Sequence, residues 1–176
     1  MVWLGSCVAG DGVAGSLEFG DLAFDDACGG QPVVIVAAEV VITRIFDASR
    51  EEVFKAWTDA DEVSAWYGPE HFDTPREHIR IDLRVGGRYE LTMVQQGSGA
   101  EFPIGYEIIE LSEPDLLVLR SDPIPGMHEP TVTRVELEDL GDRTRMVLTD
   151  GPYTEATHAE AGWHGAFAKL DVTLAR

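Results

Sequence analysis

The ending of this chain constrains its fold more than any other feature. From Glu155 to Ala175, Ala159, Trp163, Ala166, Phe167, Leu170 and Leu174 recur at three- and four-residue intervals. That spacing puts them on one broad face of a long helix. The segments before it have a different period. "REHIRIDL", "RYELTMV", "IGYEIIEL", "DLLVLR", "TVTRVELED" and "RTRMVLTD" alternate as strands do, and the second sends Tyr89, Leu91 and Met93 to one face. Gly86 with Gly87, Pro114, "DPIPGMHEP" and Gly141 with Asp142 separate these runs. Such breakers suit a meander of antiparallel strands rather than helical crossovers. A sheet with one apolar face needs a cover, and the terminal helix supplies it. The predicted class is α+β.

The first part of the folded region is equally legible. "EVVITRIF", from Glu39, reads as a strand with Val41, Thr43 and Ile45 opposite Ile42, Arg44 and Phe46. In "SREEVFKAWTD" the period switches, Ser49 and Glu52 form a capping-box pattern, and Val53, Phe54 and Trp57 make an apolar stripe. A second short helix is predicted over Ala60 to Trp66, stopping before Gly68 and Pro69. Residues 1–38 differ from everything after them, being rich in glycine and acid and free of Lys and Arg. They read as a loose N-terminal extension, or as a start set too far upstream, ahead of a domain spanning 39–176.

Composition removes several function classes. The 32 acidic and 13 basic residues give a net charge of -19, which repels nucleic acid and anionic membrane surfaces, and no basic stripe offsets it. The run "PVVIVAAEVVI" is interrupted by Glu39 and is too short to insert into a bilayer. The two cysteines, Cys7 and Cys28, do not resemble the framework of a small secreted domain. With no positive region near the start to mark a signal peptide, a cytoplasmic location is expected. His71, His78, His128, His158 and His164 form no metal-ligand spacing, and both cysteines lie in the extension, so no metal and no cofactor is expected. The serines lack a nucleophile elbow. No catalytic set is assigned, which favours a protein that is not an enzyme.

Four stretches carry a family resemblance: "RIFDASREEVFKAWTDADEVSAWYGP", "DLRVGGRYELTM", "GYEIIEL" and "GWHGAFAKLDVTL", in that order. Together they resemble the activator of heat-shock-protein-90 ATPase homologue family, within the START-like, birch-pollen-allergen-like superfamily. The resemblance implies the helix-grip fold, a curved antiparallel sheet around a long C-terminal helix with a cavity between them. The family pattern usually has a second tryptophan where this chain has Tyr67, which brings a hydroxyl toward that cavity. Residues 1–38 have no counterpart in the pattern.

The candidate ligand-binding residues are Trp66, Tyr67, Phe72, Tyr89, Met93, Tyr106, Met127, His128 and Trp163. Aromatic rings offer large apolar area with few rotatable bonds, and Tyr and Trp keep one polar atom for a guest. Met127 and His128 lie in a strand-connecting loop suited to close over the cavity. Gly86 and Gly87 read as a tight turn and not a nucleotide loop. Arg88 either pairs across that hairpin or anchors a carboxylate. The leading expectation is binding of a small hydrophobic or amphipathic molecule without catalysis. One alternative is a cyclase- or dehydratase-like enzyme using Tyr67 or His128 on a bound hydrophobe. The other is a protein-interaction module or chaperone ATPase cofactor, with "PVVIVAAEVV" as its contact segment.

Overall fold

The computed structural model of the chain describes residues 38–123, 129–153 and 155–175. The glycine-rich extension, Met127 and His128 lie outside the described residues. Strand β1 (Ala38–Phe46) leads into α1 (Arg50–Thr58) and α2 (Ala60–Trp66). The short strands β2 (Phe72–Asp73) and β3 (Arg80–Ile81) flank a single 3₁₀ turn, Arg76–His78. Then come β4 (Arg88–Gln95), β5 (Glu101–Ser112), β6 (Leu116–Ser121), β7 (Val132–Asp139), β8 (Thr144–Tyr153) and α3 (Thr157–Leu174).

All strand pairings are antiparallel, in the order β1-β8-β7-β6-β5-β4-β2, with β3 also on β4. Strands β4 to β8 form the expected meander, and β1 adds to its far side by pairing with β8. Register irregularities in β1 (Ala38/Val40) and between β5 and β6 (Ile108/Glu110) bend the sheet locally. The architecture is that of the helix-grip fold: an eight-stranded antiparallel sheet whose apolar face is covered by the C-terminal helix.

Local chemistry explains the helix boundaries. The Ser49 hydroxyl accepts from the Glu52 N–H, and the Glu52 carboxylate accepts from the Ser49 N–H at 2.8 Å, completing the capping box. Asp59 ends α1 and starts α2, its carboxylate accepting from the Asp61 and Glu62 amides at 2.9 and 3.3 Å. On α3, Ala166, Phe167 and Leu170 are buried, while Ala159, Trp163 and Leu174 pack partly buried against the same core. Arg44 of β1 ties the helix down through Asp171. Each large apolar side chain buried in this layer contributes on the order of 1.5–3 kcal/mol.

One predicted element differs. "REHIRIDL" is not a continuous strand, because Pro75 sets the chain into a turn. The His78 and Ile79 amides donate to the Pro75 and Arg76 carbonyls at 2.9 and 3.1 Å, and only Arg80 and Ile81 then pair with β4. After β3 the chain folds tightly through Gly86 and Gly87. Gly86 has φ +78°, and a Cβ on Gly87 would sit 2.0 Å from the Asp82 carbonyl oxygen. The turn therefore requires glycine at both positions.

Candidate functional site

The aromatic residues between the sheet and α3 fall into two groups. In the first, Trp57 meets Trp66 edge-on with centroids 4.7 Å apart, and Phe167 lies 6.3 Å from both. These rings are at most 1% exposed, as is Tyr89. Their polar atoms turn toward α1: Trp66 Nε1 donates to the Ala56 carbonyl at 2.8 Å, and the Tyr89 hydroxyl donates to the Trp57 carbonyl at 3.0 Å. This group is solid packing. Within this group Trp57 Nε1 has no hydrogen-bond partner among the described residues.

The second group is built around a buried acid. Asp150, in the penultimate part of β8, is 2% exposed and accepts three hydrogen bonds. Thr133 donates to Oδ1 at 2.8 Å, while Trp163 Nε1, at 2.7 Å, and the Tyr153 hydroxyl donate to Oδ2. Acceptance from three donors, with no donation in return, is the pattern of a carboxylate. Among the described residues no Lys, Arg or His forms an ion pair with it. Its charge is stabilised by hydrogen bonds instead.

Beside it, the hydroxyls of Tyr67 and Tyr106 are 3.0 Å apart, and the Tyr106 ring meets Tyr89 at 6.1 Å. Burial pushes all four tyrosines above their ordinary range, Tyr106 to about 12. The neighbouring Asp150 charge adds to the rise for Tyr67, Tyr106 and Tyr153. They stay protonated phenols at neutral pH.

A cleft of about 850 Å³ opens next to this network. Cross-strand register puts Leu91, Met93, Phe102, Ile104, Tyr106 and Ser121 on the core-facing side of the sheet, and all of them line it, with Thr131 and Tyr153 at the same end. The wall is therefore apolar along β4 and β5 and hydroxyl-rich toward β6 and β8. Arg80, Arg88, Glu90 and Asp122 also border the cleft, from the opposite face. There the Arg88 guanidinium grips Asp122 with two hydrogen bonds, at 2.9 and 2.6 Å, and reaches Glu90 at 3.3 Å. This pair lies across Gly105, where a Cβ would come within 2.3 Å of the Asp122 carboxylate. The Arg88 fork is thus occupied by the chain's own carboxylates, and the pairing holds Asp122 below the usual carboxylate range.

Of the residues proposed from sequence, Met93 and Tyr106 line this cleft. Tyr67 and Trp163 stand behind its hydroxyl-rich end, their rings 5.9 Å apart and each tied into the polar network. Phe72 packs edge-on against Phe102 at 5.5 Å and borders a separate groove beside α3. Trp66 and Tyr89 belong to the packed group. Met127 and His128 fall outside the described residues. Asp150, Thr133 and Tyr153 were not singled out from sequence, although Asp150 occupies an inward position in the alternation Thr144, Met146, Leu148, Asp150. An acid in the buried phase of a strand is a readable anomaly.

Among the described residues no group of three or more His, Cys, Asp or Glu side chains is placed to hold a metal ion, and no helix is long and apolar enough to cross a membrane. The chain was compared with known proteins. Solved structures with the same fold include protein CV1439 of Chromobacterium violaceum, at 20% identity and a TM-score of 0.71 over 78% of this chain and 97% of that one. A protein of Arthrobacter aurescens aligns at 22% identity and a TM-score of 0.71, covering 80% and 88%. An AHSA1 protein of Silicibacter pomeroyi aligns at 21% and 0.66, covering 78% and 98%. A search of functionally curated proteins found no match. The family described as activator of Hsp90 ATPase homolog 1-like protein matches residues 47–175. Sheet, terminal helix and family match agree, and the chain belongs to the activator of Hsp90 ATPase homolog 1-like family.

Proposed function

We propose that residues 39–176 bind a small hydrophobic or amphipathic molecule, without catalysis, in the cleft between β4, β5 and the hydroxyl-rich end of the sheet. The observation that carries this reading is the lining of the cleft: Leu91, Met93, Phe102 and Ile104 give one continuous apolar wall. Water satisfies such a wall poorly, whereas an apolar guest sheds its hydration and gains contacts. Its volume of about 850 Å³ is in the range of small-molecule sites. The phenols nearby are held protonated by burial, which favours recognition over proton abstraction.

The test is native mass spectrometry of the freshly purified full chain against its denatured mass. The expected result is a noncovalent adduct of small apolar mass in part of the population, lost on denaturation. A clean native mass, together with failure of a broad hydrophobe screen to shift the melting temperature, would end this reading.

A second reading, a module that contacts a chaperone, draws on the family description and on Val41 and Ile45. These remain 63% and 53% exposed on the outer face of edge strand β1. Direct titration with a purified chaperone separates the two: binding abolished by Val41→Lys with Ile45→Lys supports the module, and no binding removes it.

A further inference from the structure

We infer that the cleft selects an uncharged guest bearing a hydroxyl hydrogen-bond donor, such as a phenol or alcohol, and rejects the corresponding carboxylate. The inference rests on the cavity reading above and specifies its chemistry. Three observations lead to it. First, Asp150 carries a negative charge buried behind the hydroxyl-rich end, balanced by hydrogen bonds from Thr133, Trp163 and Tyr153 and by no described cation. In a site of low effective dielectric, a second anion brought close to it is repelled far more strongly than in water. Second, Tyr153 lines the cleft and has already committed its only proton to Asp150. Its oxygen offers lone pairs alone, so a guest touching it must donate. Third, the arginines at the border project from the outer face of the sheet, opposite to the face that carries Tyr106 and Ser121. Arg88 is held by Asp122 and Glu90, and Arg80 stands opposite Glu90 on the outer face.

The Tyr67–Tyr106 pair adds an acceptor-seeking group. With the more deeply placed Tyr67 donating across the 3.0 Å contact, Tyr106, which lines the cleft, keeps its own proton for the guest. A hydroxyl can satisfy both demands, donating to Tyr153 and accepting from Tyr106. An ether or a hydrocarbon offers the Tyr153 oxygen no donor beyond the neighbouring Thr131 hydroxyl, and a carboxylate adds charge repulsion to that loss.

The test is calorimetric titration of the full-length chain with three probes of equal ring size: 2-naphthol, 2-methoxynaphthalene and 2-naphthoate. The expected order is naphthol tightest, the methyl ether several-fold weaker, and naphthoate at least about tenfold weaker than naphthol. Asp150→Asn keeps an acceptor but removes the charge, and should bring naphthoate toward the affinity of the ether. Tyr153→Phe should weaken naphthol to the level of the ether and leave the ether unchanged. The unsubstituted chain already decides the matter, so a variant that fails to fold does not protect the inference. Equal affinity for all three probes, or naphthoate tightest, overturns the inference and leaves the cavity reading standing. Absence of binding by all three at millimolar concentration overturns both.

Discussion

The packed and open halves of the aromatic interior use the same residue types to opposite ends, the first beneath α3 and the second beside a cleft that no α3 residue lines among the described residues. In the packed half, Trp57, Trp66, Tyr89 and Phe167 are almost wholly excluded from solvent, and Trp66 and Tyr89 donate to carbonyls of α1. In the open half, Tyr106 and Tyr153 line the cleft and Trp163 stands behind it; the Tyr106 hydroxyl meets that of Tyr67, and Tyr153 and Trp163 donate to Asp150. Aromatic content alone therefore does not mark a binding site. What separates the halves is where the hydrogen bonds go: into the backbone where the ring is structural, and into a side-chain network where the ring borders open space.

The largest effect is expected in the packed half. Trp66→Ala removes a side chain with no solvent exposure and should cost about 3–5 kcal/mol, read by urea unfolding. An effect below about 1 kcal/mol would show that this half is not solid. High pH addresses the open half. The chain has four tyrosines, Tyr67, Tyr89, Tyr106 and Tyr153, all raised by burial. Because Tyr106 rises from 10 to about 12, its contribution is complete below pH 10 and is lost as the pH climbs from 10 through 12. For this residue alone the loss is on the order of 3 kcal/mol. Tyrosinate absorbance of the native protein should therefore stay silent near pH 10 and appear only with unfolding. A tyrosinate step in the folded protein near pH 10 would break the claim that these hydroxyls are sequestered.

Asp150→Ala leaves the buried Thr133 hydroxyl and the half-buried Trp163 and Tyr153 donors without their acceptor, at about 1–3 kcal/mol for a fully buried donor and less for the others. Thermal unfolding of Asp150→Ala beside Asp150→Asn checks it, with Asn expected to recover part of the loss. The smallest stability effect belongs to Phe102→Ala. That ring is 44% exposed, so its loss should cost about 1 kcal/mol or less while weakening hydrophobe binding clearly. A large stability loss with unchanged binding would move Phe102 into the packed half.

Much of this contrast was written in the sequence, but not all of it. The capping box at Ser49 and Glu52, the bounds of α2 and the stripe on α3 are local patterns, and each depends on residues three or four apart. Strands β2 and β3 are two residues long, too short for alternation to register. The Asp150 network is a matter of tertiary placement. Its partners lie 13 and 17 residues away on α3 and β7, and only the β7–β8 register brings Thr133 opposite Asp150. Face assignment in β4 was legible, since Tyr89, Leu91 and Met93 share the inward side. Which of them borders a cleft was not, because that depends on how far α3 reaches across the sheet.

A substitution that fills the open half and leaves the packed half alone tests most sharply whether the cleft holds the guest. Ile104→Trp places a large ring in the cleft, at a position lining it and partly exposed. Binding of 2-naphthol by calorimetry is to be measured beside the melting temperature of the same preparation. Binding is expected to fall by at least about tenfold while the melting temperature holds within a few degrees. Naphthol binding unchanged in a folded Ile104→Trp protein would place the guest outside this cleft.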